Sequence, residues 1–361
     1  MAYTTIDDPE AYFQVHLYTG NGSANNAIAL DGDTDMQPDM VWIKNRDQGD
    51  HHCQFDSIRG ATKHIGGWTS SPYTAYAEVT DGDTLDSFTS TGFQVDADVK
   101  VNTNTEKYVA LCWKAGTAAS GTTGGEGTGK AYSTTYNDTS KLQITGYAGN
   151  GTAGHTIPVS LSTSPKTVWC KRRDAAGDFH MFHHGLTSAP ETEYQTHNLA
   201  VAADDVGAWN DTLPSSSVVT LGDLATLNTD DATNIMWAWD EVQGFSKFGS
   251  WTGNGNNDGP FIYCGFRPAL IINRKYDTSA GTTNFWTDEQ NQNQNVMDVL
   301  QTFKWYDAEG TAATYAIDML SNGFKFRGYR ADTNTNGVKH IFWAFAKSPF
   351  VNSKGVPGTA L

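Results

Sequence analysis

The sequence predicts an all-β protein of three tandem jelly-roll or lectin-like β-sandwich units. Three observations carry this. Apolar runs are short, rich in Val, Ile, Trp, Phe and Tyr, and bounded by Gly, Asn, Asp or Pro, which is the signature of strands. Three landmark motifs recur in one order at nearly constant spacing, as internal repeats do. Of 361 residues 36 are Gly and only 18% are charged, against ~25% in an ordinary soluble domain, a balance that suits turn-rich sheets with a neutral polar surface.

The first landmark is Tyr18-Thr19-Gly20-Asn21-Gly22, repeated as Tyr147-Ala148-Gly149-Asn150-Gly151 and Trp251-Thr252-Gly253-Asn254-Gly255. Gly and Asn tolerate positive φ, so each reads as a tight turn. The second is a proline, an apolar run and a basic end: Pro38 to Arg46, Pro165 to Arg173 and Pro268 to Lys275. Continuous apolar runs such as Met40 to Ile43 predict strands covered on both sides. The third closes each copy: Tyr108 to Trp113, Asn234 to Trp239 and His340 to Phe345, with Trp113, Trp239 and Phe345 spaced 126 and 106 residues apart. A weaker element, Leu85 to Phe88 leading into Gly92-Phe93, returns as Met319-Leu320 leading into Gly323-Phe324. The middle copy keeps only Val218 to Gly222 and is the most divergent.

These landmarks set the expected domains. Residues 1–116 form the first unit with its lead-in, and 117–139 a Gly/Thr-rich linker or long loop. Residues 140–243 form the divergent second unit, 244–350 the third, and 351–361 a tail that is a strap or a loose end. The second and third units have no linker between them and should pack closely. The one helical candidate, Asn295 to Leu300, is too short to count. The repeated Trp42, Trp113, Trp169 and Trp239 are expected to fill the space between the two sheets of each sandwich. Trp68, Tyr73, Tyr76, Trp209 and Trp286 fall outside the repeat pattern and are the aromatics best placed for exposed sugar stacking, with packing an equal alternative.

Charge narrows the function. The formal net charge is −16, and the longest basic run is Lys171-Arg172-Arg173, so nucleic acid and anionic membranes are poor partners. No apolar run approaches the ~20 residues that span a bilayer, and no signal peptide is visible at the start. Cys53, Cys112, Cys170 and Cys264 are far apart and read as buried free thiols made in a reducing cytoplasm.

Catalytic patterns are weak. Glycan cleavage needs two carboxylates across a cleft; Glu191 and Glu193 alternate, but glutamate is scarce. His51-His52 and His180 with His183-His184 invite a metal, yet His180 and His183 cannot share a strand face and no Cys or carboxylate sits at ligand spacing. Asp31, Asp33 and Asp35 imitate half of a calcium loop without its Gly and closing Glu, and Asp81-Gly82-Asp83-Thr84 is weaker still. Asn137-Asp138-Thr139 and Asn210-Asp211-Thr212 fit the glycosylation pattern but read as polar turns. No catalytic or metal-binding residue and no cofactor is therefore assigned, and the binding residues stay open.

The Gly-Asn-Gly turn, Pro38 to Arg46, Phe55-Asp56-Ser57-Ile58-Arg59-Gly60, Ser90 to Phe93 and Tyr108 to Gly116 together resemble a repeat domain of virion proteins from tailed phages of marine bacteria. The stretch Ile6 to Gln14 resembles the lead-in often found before it. The likeness is close over 6–116, recognisable over 244–350 and faint over 140–243. It implies a non-enzymatic bacteriophage virion structural protein, part of a tail fibre or related host-recognition appendage. It further implies self-association, a trimer favoured, with other virion proteins and host-surface glycan or protein as partners. A capsid-surface decoration or horn-like protein and a glycan depolymerase are the alternatives.

Overall fold

The computed structural model describes residues 2–358, apart from 67–74, 197–202, 205, 277–282, 291–298, 303–306 and 331–332. The fold is all-β, its sheets antiparallel, with three one-turn α-helices among the described residues. The helical candidate at Asn295 falls largely outside them, and Val299–Thr302 is a strand.

Strand pairing falls into three consecutive segments. In the first are β1 (Phe13–Thr19), β2 (Asn26–Ala29), β3 (Met40–Asn45), β4 (Cys53–Asp56), β5 (Lys63–His64), β6 (Val79–Thr80), β7 (Leu85–Thr89), β8 (Gly92–Val95), helix α1 (Val99–Asn102) and β9 (Lys107–Trp113). One sheet runs β1-β9-β3-β4 and the other β2-β8-β7. First strand pairs with last and second with next-to-last, the winding of a jelly roll. The third segment repeats this with β21 (Ser246–Thr252), β22 (Phe261–Tyr263), β23 (Phe266–Lys275), β24 (Thr283–Thr287), β25 (Val299–Thr302), β26 (Gly310–Thr311), β27 (Ile317–Leu320), β28 (Gly323–Phe326) and β29 (Lys339–Pro349). Its sheets run β21-β29-β23-β24-β25-β26 and β22-β28-β27.

The middle segment departs in two places. Residues 117–137 are not a linker. They form β10 (Thr117–Thr122), β11 (Gly124–Gly125) and β12 (Ala131–Asn137). A segment of Thr, Ala, Ser and Gly has little to bury, but a ladder is made by the backbone, and Tyr132 and Tyr136 supply its apolar side. The rest comprises β13 (Leu142–Ala148), β14 (His155–Pro158), β15 (Thr167–Arg172), β16 (Phe179–His183), β17 (Glu193–Thr196), β18 (Ala203–Asp204), α2 (Val206–Trp209), β19 (Val218–Leu221), α3 (Ala225–Asn228) and β20 (Thr233–Trp239). One sheet runs β10-β12-β13-β20-β15-β16-β17-β18, the other β11-β14-β19. Where the outer segments place β7 or β27 beside the next-to-last strand, α2 packs on β19, bringing Gly207 against Gly222 and burying Trp209. That is why the weaker element is missing from the middle copy.

The Gly-Asn-Gly turns share one anchor. Asn102, Asn228 and Asn334 are fully buried. Their Oδ1 atoms accept from the backbone N–H of Asn21, Asn150 and Asn254 at 2.9, 2.9 and 3.0 Å. A Cβ on Gly20, Gly149 or Gly253 would lie 2.2, 2.3 or 2.1 Å from the carbonyl oxygen of Thr103, Thr229 or Thr335. Only glycine fits that approach, which ties the end of the first strand to the start of the last.

The central strands of each large sheet are buried on both faces. On β3, Val41 and Ile43 face the first segment's small sheet, whereas Met40 and Trp42 join a central core shared by all three segments. The repeated tryptophans therefore do not fill the sandwiches. Trp42, Trp113, Trp169 and Trp239 all lie in the central core with Phe13, Trp237, Ile272, Trp343 and Phe345. Trp169 meets Trp42, Trp239 and Trp343 at ring distances of 6.3, 5.3 and 5.4 Å. The reason is parity. Side chains alternate between faces along a strand, and here the tryptophan-bearing set is the one that faces the other segments.

Candidate functional site

Some of the polar residues that drew attention in the sequence build the joints between segments. The turns after β4, β16 and β24 dock on β13, β21 and β1 of another segment. Ile58 meets Gly146 of β13, Gly185 meets Gly249 of β21, and Glu289 lies beside Phe13 and Val15 of β1. At the first joint Asp56 and Arg59 form a fully buried ion pair at 2.6 Å. Arg59 also donates to the Gln54 carbonyl at 2.8 Å and lies over the Trp237 ring, 5.5 Å from its centroid. The Phe-Asp-Ser-Ile-Arg-Gly element is thus a docking turn. Hydrogen bonds from Arg59 Nε and Nη2, with Glu78 3.9 Å from Nη1, offset part of the cost of burying the pair.

Two bidentate clamps reinforce the contacts between segments. Arg46 donates to Glu309 at 2.6 and 3.0 Å, and Arg173 donates to Glu78 at 2.8 and 3.0 Å. In both, the glutamate N–H donates to the arginine carbonyl, at 2.7 and 2.8 Å. The matching position in the third segment is Tyr276, whose N–H donates to Lys339 as those of Arg46 and Arg173 donate to Lys107 and Thr233. In the sequence the residue before β18, where Glu78 and Glu309 precede β6 and β26, is Ala202. Neither partner of a third clamp is encoded.

The joint between the second and third segments uses histidines instead. His183 pairs through Nε2 with the Phe342 carbonyl at 3.2 Å and sits edge-on to Trp343, and His184 reaches the Phe248 carbonyl at 3.0 Å. Burial drives the His183 pKa down to about 3 and that of His180 to about 4. These rings are neutral packing groups. Among the described residues no three His, Cys, Asp or Glu side chains gather as a metal site.

Beside this joint a groove of about 520 Å3 opens, lined by Thr187, Ser188, Ser250, Thr252, Tyr276 and Lys339. A second, of about 540 Å3, lies between the N-terminal lead-in and the turn before β13, with Tyr3, Thr5, Asp138, Lys141, Glu241 and Gln243. Both offer hydroxyls, the first with Lys339 and the second with charges of both signs, and such groups hydrogen-bond polar ligands. The lead-in itself is tied down: the Tyr3 hydroxyl donates to the Gly265 carbonyl at 2.9 Å, and Asp7 accepts from the Ser353 N–H at 2.6 Å.

The remaining candidates resolve individually. Trp209 and Trp286 are fully buried, not exposed stacking platforms; Trp286 donates to the Tyr315 carbonyl at 2.9 Å. Tyr76 is 41% exposed, with His51 edge-on to its ring, and Trp68 and Tyr73 lie outside the described residues. Glu191 and Glu193 are half-buried around β17. Asp31 pairs with His16 at 2.8 Å, and Asp33 N–H donates to Glu10. Asn137 caps its own turn by accepting from Thr139 and Ser140. The four cysteines are buried and free. Lys44 and Lys171, aligned on β3 and β15, are buried and donate to carbonyls of the following turn; burial lowers both to about 8. Sequence reasoning missed the anchors Asn102, Asn228 and Asn334, although Asn-Thr recurs there with the same 126 and 106 spacing.

One family model, described as a domain of unknown function (DUF7483), matches residues 8–349 and so spans all three segments. No curated protein and no solved structure matches the chain.

Proposed function

The chain belongs to the DUF7483 family, and we propose, on the resemblance of residues 6–116, that it is a non-enzymatic structural protein of a phage particle, part of a tail fibre or related appendage that contacts host-surface glycan or protein. The observation that carries this reading is the division of labour in the fold. Asp56, Arg59, His183 and the three anchoring asparagines are committed to joints and turns, while the open, hydroxyl-lined groove beside Tyr276 sits on a body with a shared core. Polar ligands are recognised by such loops on a fixed scaffold. The homo-oligomer and the particle location rest on the resemblance of residues 6–116.

The test is adsorption. Purified protein should bind susceptible cells and compete with phage, and Thr187→Trp with Ser250→Trp should fill the groove and abolish competition. Absence of binding by the intact protein would end this reading. A head-surface decoration protein is the second reading, favoured by segments that dock first on second, second on third and third on first around one core, and immunogold labelling of heads rather than tails would select it. Reducing-sugar release from host polysaccharide would instead establish a depolymerase.

A further inference from the structure

The small sheets of the three segments can be compared position by position. In the third, β22 is the edge strand. Its Ile262 points into the core, so Phe261 and Tyr263 share the outer face, 46% and 54% exposed. The pair Ile262 and Phe324 corresponds to Ile28 and Phe93 in the first segment and to Ile157 and Val219 in the second. Where the third segment has Phe261 and Tyr263, the first therefore has Ala27 and Ala29, and the second Thr156 and Pro158. Two copies of the sandwich form without aromatic rings at these places, so packing does not account for them. Among the described residues the other exposed aromatics are Tyr76 and Tyr329, and neither lies on a strand.

The surroundings say what the rings could hold. The cross-strand neighbour of Tyr263 is Gly323, where a Cβ would lie 2.1 Å from the Ile262 carbonyl oxygen, so the sheet is bare beside that ring. Beside Phe261 stands Lys325, paired with Asp258 at 2.7 Å, and Arg327 joins Asp258 and Asp318 at 3.4 and 2.5 Å. The Tyr3 hydroxyl donates to the Gly265 carbonyl, so it accepts from the Tyr263 hydroxyl at 3.1 Å, which ties that ring down. We propose that Phe261 and Tyr263 form a platform for a neutral glycan chain, one sugar ring stacked on each aromatic. This rests on the reading above that host-surface glycan is a partner, and adds a second place of contact. A sugar ring has an apolar C–H face and a rim of hydroxyls. The aromatic rings take the first, and Asp258, Lys325 and Arg327 hydrogen-bond the second. Size argues against a protein partner. A wholly buried aromatic covers about 150–250 Å2, so two half-exposed rings offer about that much together, against about 800 Å2 per partner in a stable protein interface. Charge argues for a neutral ligand. Asp258, Asp318, Lys325 and Arg327 sum to zero on a chain of formal charge −16, which opposes an acidic sugar or a nucleic-acid strand stacked on the same rings.

Affinity electrophoresis of the full chain tests this, in gels holding polysaccharide extracted from susceptible cells and split by anion exchange into neutral and acidic fractions. The neutral fraction should retard the protein, and added salt should not release it, since no net charge is engaged. Phe261→Ala and Tyr263→Ala should each raise the apparent dissociation constant at least tenfold, with melting temperatures unchanged because both side chains are exposed. Tyr263→Phe keeps the ring and should keep the binding. In the unaltered protein the neutral fraction should protect Tyr263 from nitration, a readout that depends on no variant folding. Retardation that the alanine variants leave intact, retardation by the acidic fraction alone, or nitration of Tyr263 at an unchanged rate would each overturn the platform while leaving the reading above in place. So would an intact protein that adsorbs to cells but is not retarded. A protein that adsorbs to no susceptible cell would overturn both.

Discussion

Replacing Trp169 by alanine removes an indole from the place where the three segments meet. Truncating a buried tryptophan or phenylalanine costs about 3–5 kcal/mol. Trp169 adds ring contacts to Trp42 of the first segment and Trp343 of the third, and such pairs are worth about 0.5–1.5 kcal/mol each beyond burial. It also borders a small apolar cavity with Met40, Trp113, Ile272 and Phe345, so the new void enlarges an existing one instead of collapsing. The expected loss is therefore about 5 kcal/mol, the top of the range. Urea unfolding measures the total, and amide exchange reports where it falls. Protection should drop in β3 and β29 as well as in β15. A loss confined to residues 117–239, with β3 and β29 unchanged, would refute the shared core.

Four further outcomes follow from the same geometry. Gly149→Ala sets a Cβ against the Thr229 carbonyl and should cost about 2–3 kcal/mol, by analogy with other overpacked sites; an unchanged urea midpoint would count against the close approach. Arg173→Ala breaks a half-buried bidentate clamp and should cost about 1–2 kcal/mol, with faster exchange around Val79, whereas a loss restricted to β15 would deny its bridging role. His64, His180, His183 and His340 are held neutral by burial, with pKa values near 4, 4, 3 and 3. Because the unfolded chain takes up these protons first, stability is full above about pH 6.5 and falls on acidification toward pH 4, by up to about 1.4 kcal/mol per pH unit for each ring. His183→Gln should flatten the slope of urea midpoints against pH, and a midpoint independent of pH would contradict this. Burial raises the thiol pKa of Cys53, Cys112, Cys170 and Cys264, so a thiol reagent should label none of them until the chain unfolds.

The strands were legible because short apolar runs bounded by Gly, Asn, Asp or Pro, and Gly-Asn-Gly turns, are local signals. The destination of the tryptophans was not. A run such as Met40 to Ile43 is apolar at every position, so it says that both faces are covered but not by what. Alternation would have assigned the faces, and double burial erases it. The 117–137 strands were hidden for the opposite reason: their ladder is backbone, and their side chains are too small to leave a pattern. Trp209 was misplaced because a one-turn helix gives no periodicity, and only its neighbour Gly222 hinted at a close approach. The histidines were visible as residues, but their role at a joint needed the third segment's Phe248 and Phe342 beside them. The anchoring asparagines could have been found by extending the repeat comparison to polar positions.

Differential scanning calorimetry of the intact chain tests the shared core most directly. A single transition, whose calorimetric and van't Hoff enthalpies agree, is the expected result, because no segment can bury Trp42, Trp169 or Trp343 without the others. Three separable transitions, or a calorimetric enthalpy about three times the van't Hoff value, would show sandwiches that fold alone and would contradict it.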